Sequence, residues 1–333
     1  MTQTTTQAGR LHPRRAPRRL PYLVRQLVTL VVTLFAITIV IFGLTAIAGD
    51  PARDILGQYA TDSQVTAFQQ RHGLDKPVVV RYLDWLGGIF RGDLGISYQS
   101  NGPVWDVISP RLGPSVVLVL FAWLLTVVVA VPIGLYSGVR LRGRRDASLT
   151  FVTLIVAAFP EFVLGLILAI VLGVWLAWLP VDSTAVSAGG LFDSPTAYVL
   201  PGITIALGTV PYIIRLMRAN AREVTSETYV RAAVLRGVTE PSLSLRHILP
   251  NAAPPVVTAL GLQFAGLIGG VVVAETLFGF PGMGQLLAQS AASRDAPVVE
   301  ALALMIGALF VIANLAADAI VVYVTPKLRD AVR

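Results

Sequence analysis

The feature of this sequence most able to do chemistry is the carboxylate of Glu161. It follows Pro160 inside a long apolar run, roughly 21 Å from the start of that run by helical rise. An unpaired carboxylate in hydrocarbon is costly, so Glu161 marks a candidate site, with Phe159 and Pro160 beside it. Two structural roles compete: bonding backbone groups freed by Pro160, or facing a water-filled vestibule without touching a ligand. Asn314 and Asp318 are four apart and share one face of a later apolar run, where helix packing is the expected role. Gly261, Ala265 and Gly269 make a ladder of small residues, with Gly266 and Gly270 beside it. Such faces let helices approach closely or slide.

Other chemistry is missing. A nucleotide-cradling loop needs Gly-x-x-x-x-Gly-Lys-Ser/Thr, and the two lysines, in "LDKPV" and "TPKLR", stand in no such context. There is no cysteine, hence no disulfide, thiolate metal site or cysteine nucleophile. His12, His72 and His247 lie far apart in polar segments, which argues against a metal cluster. "GLYSG" around Ser137 hints at a serine nucleophile, but His247 falls in a polar loop rather than opposite it.

These residues must be positioned by elements suited to lipid. Apolar residues make up 55% of the 333-residue chain and charged ones 14%, with a mean hydropathy of +0.71. A soluble domain carries about a quarter charged residues. The expected fold is therefore an all-α membrane protein with six transmembrane helices, over Leu27–Ala48, Val116–Gly138, Ala147–Leu179, Ala197–Met217, Pro254–Phe278 and Val298–Val324. The third run is too long for a straight crossing, and Pro160 predicts a kink or break in it.

The net charge of +7 does not indicate nucleic-acid binding, because the arginines sit at the ends of apolar runs. The start (10, 14, 15, 18, 19, 25), the loop after span two (140, 142, 144, 145), the segment Arg215–Arg246 and the tail after span six hold 19 of the 26 basic residues. The opposite side has Arg294 and a long first loop whose six basic residues face seven aspartates. Both termini are thus expected in the cytoplasm of a multi-pass protein of the cytoplasmic membrane. The first apolar run is about twice a signal core and is read as a retained span. The expected organisation is an N-terminal segment 1–26, a membrane domain 27–325 with outer loop 49–114 and cytoplasmic loop 218–250, and a tail 326–333. No repeat relates the two halves, which weighs against transporters built from inverted repeats.

The polar insert "YVRAAVLRGVTEPSLSLRHILPN", Tyr229–Asn251, interrupts this pattern. Ala232, Ala233 and Gly237 describe a short helix with a glycine turn that another surface could approach closely. "VTEPSL" restarts a helix near Thr239 or Glu240, with Pro241 tolerated in its first turn. The stretch resembles the EAA loop of ABC importer permeases (E-A-A-x3-G-x9-I-x-L-P), departing from it at Arg231 and His247. "GDPARDILG", "HGLDKPVVVRYLDWLGGIFRGDLGISY", "PVWDVISPRL", "ETLFGFPGMGQLL", "RDAPVV" and "NLAADAIVVYVTPKLR" extend the resemblance over nearly the whole chain. Together they are similar to the B-type permeases of dipeptide/oligopeptide ABC importers, a family that includes nickel and glutathione importers.

That resemblance implies the type I importer fold and a permease without its own ATPase. Its partners would be a C-type permease, two ATPase subunits and an extracytoplasmic substrate-binding protein, with peptide as substrate. No cofactor would bind this chain; ATP and Mg would serve the ATPases. Arg231, Ala232, Ala233, Arg236, Gly237, Thr239 and Glu240 would couple to an ATPase. Phe159, Pro160, Glu161, Gly261, Gln263, Ala265 and Gly269 are the candidates for the translocation path or gate. The first loop, with short amphipathic helices in "DSQVTAFQQRHGL" and "PVVVRYLDWLGGIF", would dock the binding protein, lid the cavity, or pack on the span ends. An ion-coupled secondary transporter centred on Glu161, and a receptor, are the readings from other classes.

Overall fold

The computed structural model describes residues 22–188 and 193–324. The arginine-rich start and the tail 326–333 lie outside the described residues. Within them every regular element is helical, apart from one isolated bridge between Ile96 and Pro103.

The first span is α1 (Tyr22–Ile47). The loop that follows holds α2 (Ala52–Leu56), α3 (Asp62–Arg71) and α4 (Val78–Ile89). Thr61 starts α3 with a complete capping box: its hydroxyl accepts from the Gln64 N–H, and the Gln64 side chain accepts from the Thr61 N–H. Both expected loop helices are therefore present. The next helix, α5 (Val104–Arg140), begins well before the expected Val116, because Pro110 and Pro114 sit inside it without stopping it. Its last turns press on α9 (Val199–Thr225), after α6 (Gly143–Ala158), α7 (Glu161–Leu168), a widened π turn (Ala169–Trp175) and α8 (Ala185–Ala188). At Gly134 and Gly138 an added Cβ would come within 2.7 Å of α9 atoms, so only glycine permits this spacing.

The third span is broken. Phe159 and Pro160 are extended, and α6 meets the segment Glu161–Trp175 at 103°. Proline pushes the residue before it out of the helical region and supplies no N–H, which explains where the break falls. Among the described residues five helices are long and apolar enough to cross a membrane, and this bent pair makes a sixth if it counts as one span.

The insert contains α10 (Thr228–Leu235) and α11 (Glu240–Leu243), whose axis continues through a π turn (Ser244–Ile248) into α12 (Leu249–Leu277). Then comes α13 (Met283–Ala292), which falls between the fifth and sixth expected spans, and α14 (Ala296–Val324). The core near the insert joins Ile213, Met217, Val230, Ile248 and Val256; that at the opposite end joins Val104, Ile108, Met283, Val298 and Leu302.

Candidate functional site

The insert is a compact knob with two different faces. Val230, Ala233, Leu243 and Ile248 turn inward and are buried against Met217 and Ala221. Arg231, Ala232, Arg236 and Gly237 turn outward, with Tyr229, Val234 and Leu235 making an exposed apolar surface among them. Leu235 is 88% exposed. The alanine pair is therefore split. Ala232 is available to another surface, whereas Ala233 is 1% exposed and fits α10 onto its own bundle.

Gly237 ends α10 at φ +79°. Its N–H donates to the Val234 carbonyl (2.9 Å) and the Val238 N–H to the Ala233 carbonyl (3.2 Å), the paired bonds of a Schellman turn. An added Cβ there meets nothing within 4 Å, so the glycine is required by backbone conformation and not by crowding within the chain. Thr239 caps α11 by position alone, its carbonyl accepting from the Leu243 N–H (2.8 Å), and Pro241 lies in the first turn as expected. Glu240 does not point free: both its oxygens accept from Arg140, at 2.8 and 2.9 Å. That bidentate pair ties the end of α5 to the knob. Arg231 forms no ion pair among the described residues, and Arg236 bonds only the Ala232 carbonyl of its own helix.

The second candidate region lies at the break. Glu161 opens α7, and its half-buried side chain reaches between α9 and α12. A Cβ added at Gly208 or at Gly270 would come within 2.8 Å of its carboxylate oxygens, so two bare helix positions form the slot that admits it. The carboxylate has no hydrogen bond or ion pair among the described residues. Gly266 and Gly269 lie on an open stretch of α12, where Cβ atoms would meet only the Gln263 side-chain oxygen at 3.6 Å, or nothing. Phe159 and Pro160 are exposed. The other ladder members do different work: Ala265 is buried, and Gly261 faces Ala317, where a Cβ would stand 3.0 Å from the alanine's. Asn314 is half-buried on α14; the Asp318 side chain lies outside the described residues.

Three acidic anchors escaped the sequence reading. Asp146, the lone acid beside four arginines, accepts two 2.6 Å bonds from Arg218 and contacts Arg222 at 3.1 Å, fixing the start of α6 to α9. Its presence in an otherwise basic loop was the available signal. Glu275 near the end of α12 is fully buried and accepts from the N–H groups of Gly284 (2.6 Å) and Gln285 (3.1 Å) in the first turn of α13. The Ser115 hydroxyl donates to it and accepts from the Met283 N–H (2.8 Å), bringing α5 into the same knot. Asp295 accepts from the Ser97 hydroxyl and the Tyr98 N–H (3.0 Å), holding the first loop to the start of α14.

No group of histidine, aspartate or glutamate able to hold a metal occurs among the described residues. In the loop, burial lowers the pKa of His72, while burial and nearby carboxylates raise the Tyr98 hydroxyl to about 12, leaving both neutral near pH 7.

The helical membrane frame agrees with the comparisons. Residues 130–330 match the family of binding-protein-dependent transport system inner membrane components, and residues 19–119 match its N-terminal companion. The oligopeptide transport system permease protein AppB of Bacillus subtilis is 34% identical over 311 residues, covering 92% of this chain and 98% of its own. The glutathione transport system permease protein GsiC of Escherichia coli is 34% identical, covering 93% and 99%. A probable peptide ABC transporter permease of Sinorhizobium fredii, y4tP, is 33% identical over 292 residues, covering 87% and 93%. With family matches along nearly its whole length and no nucleotide-binding loop of its own, the chain belongs to the inner membrane permease components of binding-protein-dependent ABC transporters.

Proposed function

We propose that this permease moves di- or oligopeptides into the cell, paired with a C-type permease, driven by two ATPase subunits and loaded by an extracytoplasmic binding protein. Both termini and the knob face the cytoplasm on this reading, and the loop 49–114 faces outward. The observation that carries it is the knob. A chain with no ATPase motif presents Tyr229, Val234 and Leu235 to solvent on a base held by Val230, Ala233 and the Arg140–Glu240 pair. An exposed apolar cluster rimmed by arginines suits a protein partner's groove. Peptide is favoured as substrate because relatives named for peptide, oligopeptide and glutathione transport align over 87–93% of this chain. Glutathione or a metal chelate is the alternative cargo. No cofactor is assigned to this chain; ATP and Mg belong to the partner ATPases.

Movement of the knob shifts the bundle only if the partner ATPases bind its two positions with different affinity. The broken span, with Phe159, Pro160 and Glu161, and the open face of α12 around Gly269 and Gln263 are assigned to the translocation path. Leu235→Asp tests the reading in the assembled complex. Peptide uptake should fall at least about tenfold and the ATPases should co-purify less, with the melting temperature unchanged. Full ATP-dependent uptake by this variant would overturn the coupling role. Gradient-driven uptake by the purified chain alone would favour a secondary transporter instead.

A further inference from the structure

We infer that the Glu161 carboxylate is the receptor for the protonated amino group of the passing substrate, an inference that rests on the peptide-importer reading. A carboxylate at membrane depth is balanced by a proton or a cation, and the described residues supply no cation. Arg215, two turns beyond Gly208 on α9, is directed to the Thr153 carbonyl at 3.4 Å. From Leu249 to Ala274, α12 carries no charged residue. The slot is nevertheless built for the carboxylate, since a methyl group on either Gly208 or Gly270 would collide with it. A carboxylate that merely satisfied the backbone freed by Pro160 would be bonded there, and Glu161 is not.

The surroundings suit an alkylammonium group. Tyr212 is four residues beyond Gly208, on the same face of α9, and is 44% exposed, so it presents an aromatic ring one turn from the slot. Along α12, Gln263 lies two turns from Gly270, roughly 10 Å by helical rise. Its amide both donates and accepts, as a peptide backbone requires. That separation matches about three extended residues. A peptide anchored by its amino terminus at Glu161 would therefore reach Gln263 with its main chain. An amine-free cargo of the same length would lack the first anchor.

The test uses the whole complex in proteoliposomes, with tri-alanine and its des-amino analogue propionyl-dialanine as probes. Glu161→Gln keeps the shape and removes the charge. It should lower tri-alanine uptake about tenfold while the partner permease and ATPases co-purify as before, and Glu161→Asp should keep most of the uptake. Uptake of the des-amino analogue, at whatever level the wild type shows, should not fall. Gly270→Ala, which displaces the carboxylate without changing charge, should reproduce the selective loss. Unchanged tri-alanine uptake in Glu161→Gln, an equal fall for both probes, or loss of the partner permease would overturn the inference. The last outcome would assign the acid to an inter-subunit ion pair. Failure of the wild-type complex to take up tri-alanine would instead remove the peptide reading, and this inference with it.

Discussion

At the scale of single residues, Gly237 carries two demands that one glycine meets at once. The spacing Ala-Ala-x-x-x-Gly suggests a residue kept small for a partner's approach. The structure gives it a prior duty, because φ +79° and the two Schellman bonds demand a left-handed residue. These two demands separate under substitution. Asparagine tolerates the left-handed region and valine does not. Gly237→Asn should keep most ATP-driven uptake, whereas Gly237→Val should cost about 1–2 kcal/mol in local backbone strain and abolish coupling. Uptake by the two variants in the same proteoliposomes checks this. Equal loss in both would mean that a partner's close approach, not the turn, is what requires glycine. Arg140 and Glu240, a topology charge and a coupling candidate in the sequence, are also each other's partners, which neither spacing nor charge counting could show.

At the scale of elements, the spans were legible because long apolar runs have few alternatives in lipid, where the backbone must bond to itself. The break at Pro160 was legible from proline's missing N–H, though its 103° angle was not. The ten residues of α13 were not, since a short helix with glycine and glutamine among its apolar residues has no signal apart from what it packs on. The facing of α10 was equally hidden, because eight residues make little more than two turns and the bundle decides their phase. That facing has a measurable consequence. Ala233→Leu forces a larger side chain into a full core and should cost about 1–3 kcal/mol, lowering the melting temperature in detergent. Ala232→Leu, one position away on the outer face, should leave melting unchanged and reduce ATPase binding. If both variants melt like the wild type, α10 is not seated on its bundle as described.

At the scale of the molecule, α11, its π turn and α12 form one helical strut, Glu240–Leu277, that runs from the knob to the far end of the bundle. By helical rise it is roughly 57 Å long, enough to cross the membrane with turns to spare. Its near end is tied to α5 by Arg140 and Glu240, and its far end to α5 and α13 by Glu275, Ser115 and the first turn of α13. A displacement of the knob can therefore reach the opposite face through one continuous helix tied at both ends. The far knot can be opened by itself. Glu275→Ala would leave the Ser115 hydroxyl and two helix N–H groups buried without their acceptor, at about 1–3 kcal/mol for each unsatisfied group. Such a variant should melt several degrees lower and exchange amide hydrogens faster at 283–287. Glu275→Gln, which keeps one acceptor oxygen but sets an NH2 against donors, should fall between the two. If the strut carries the knob's movement across the bundle, then in Glu275→Ala the ATPases should still co-purify and hydrolyse ATP while peptide uptake per ATP falls. Uptake per ATP equal to that of the wild type would mean that the far end of α12 moves without help from this knot.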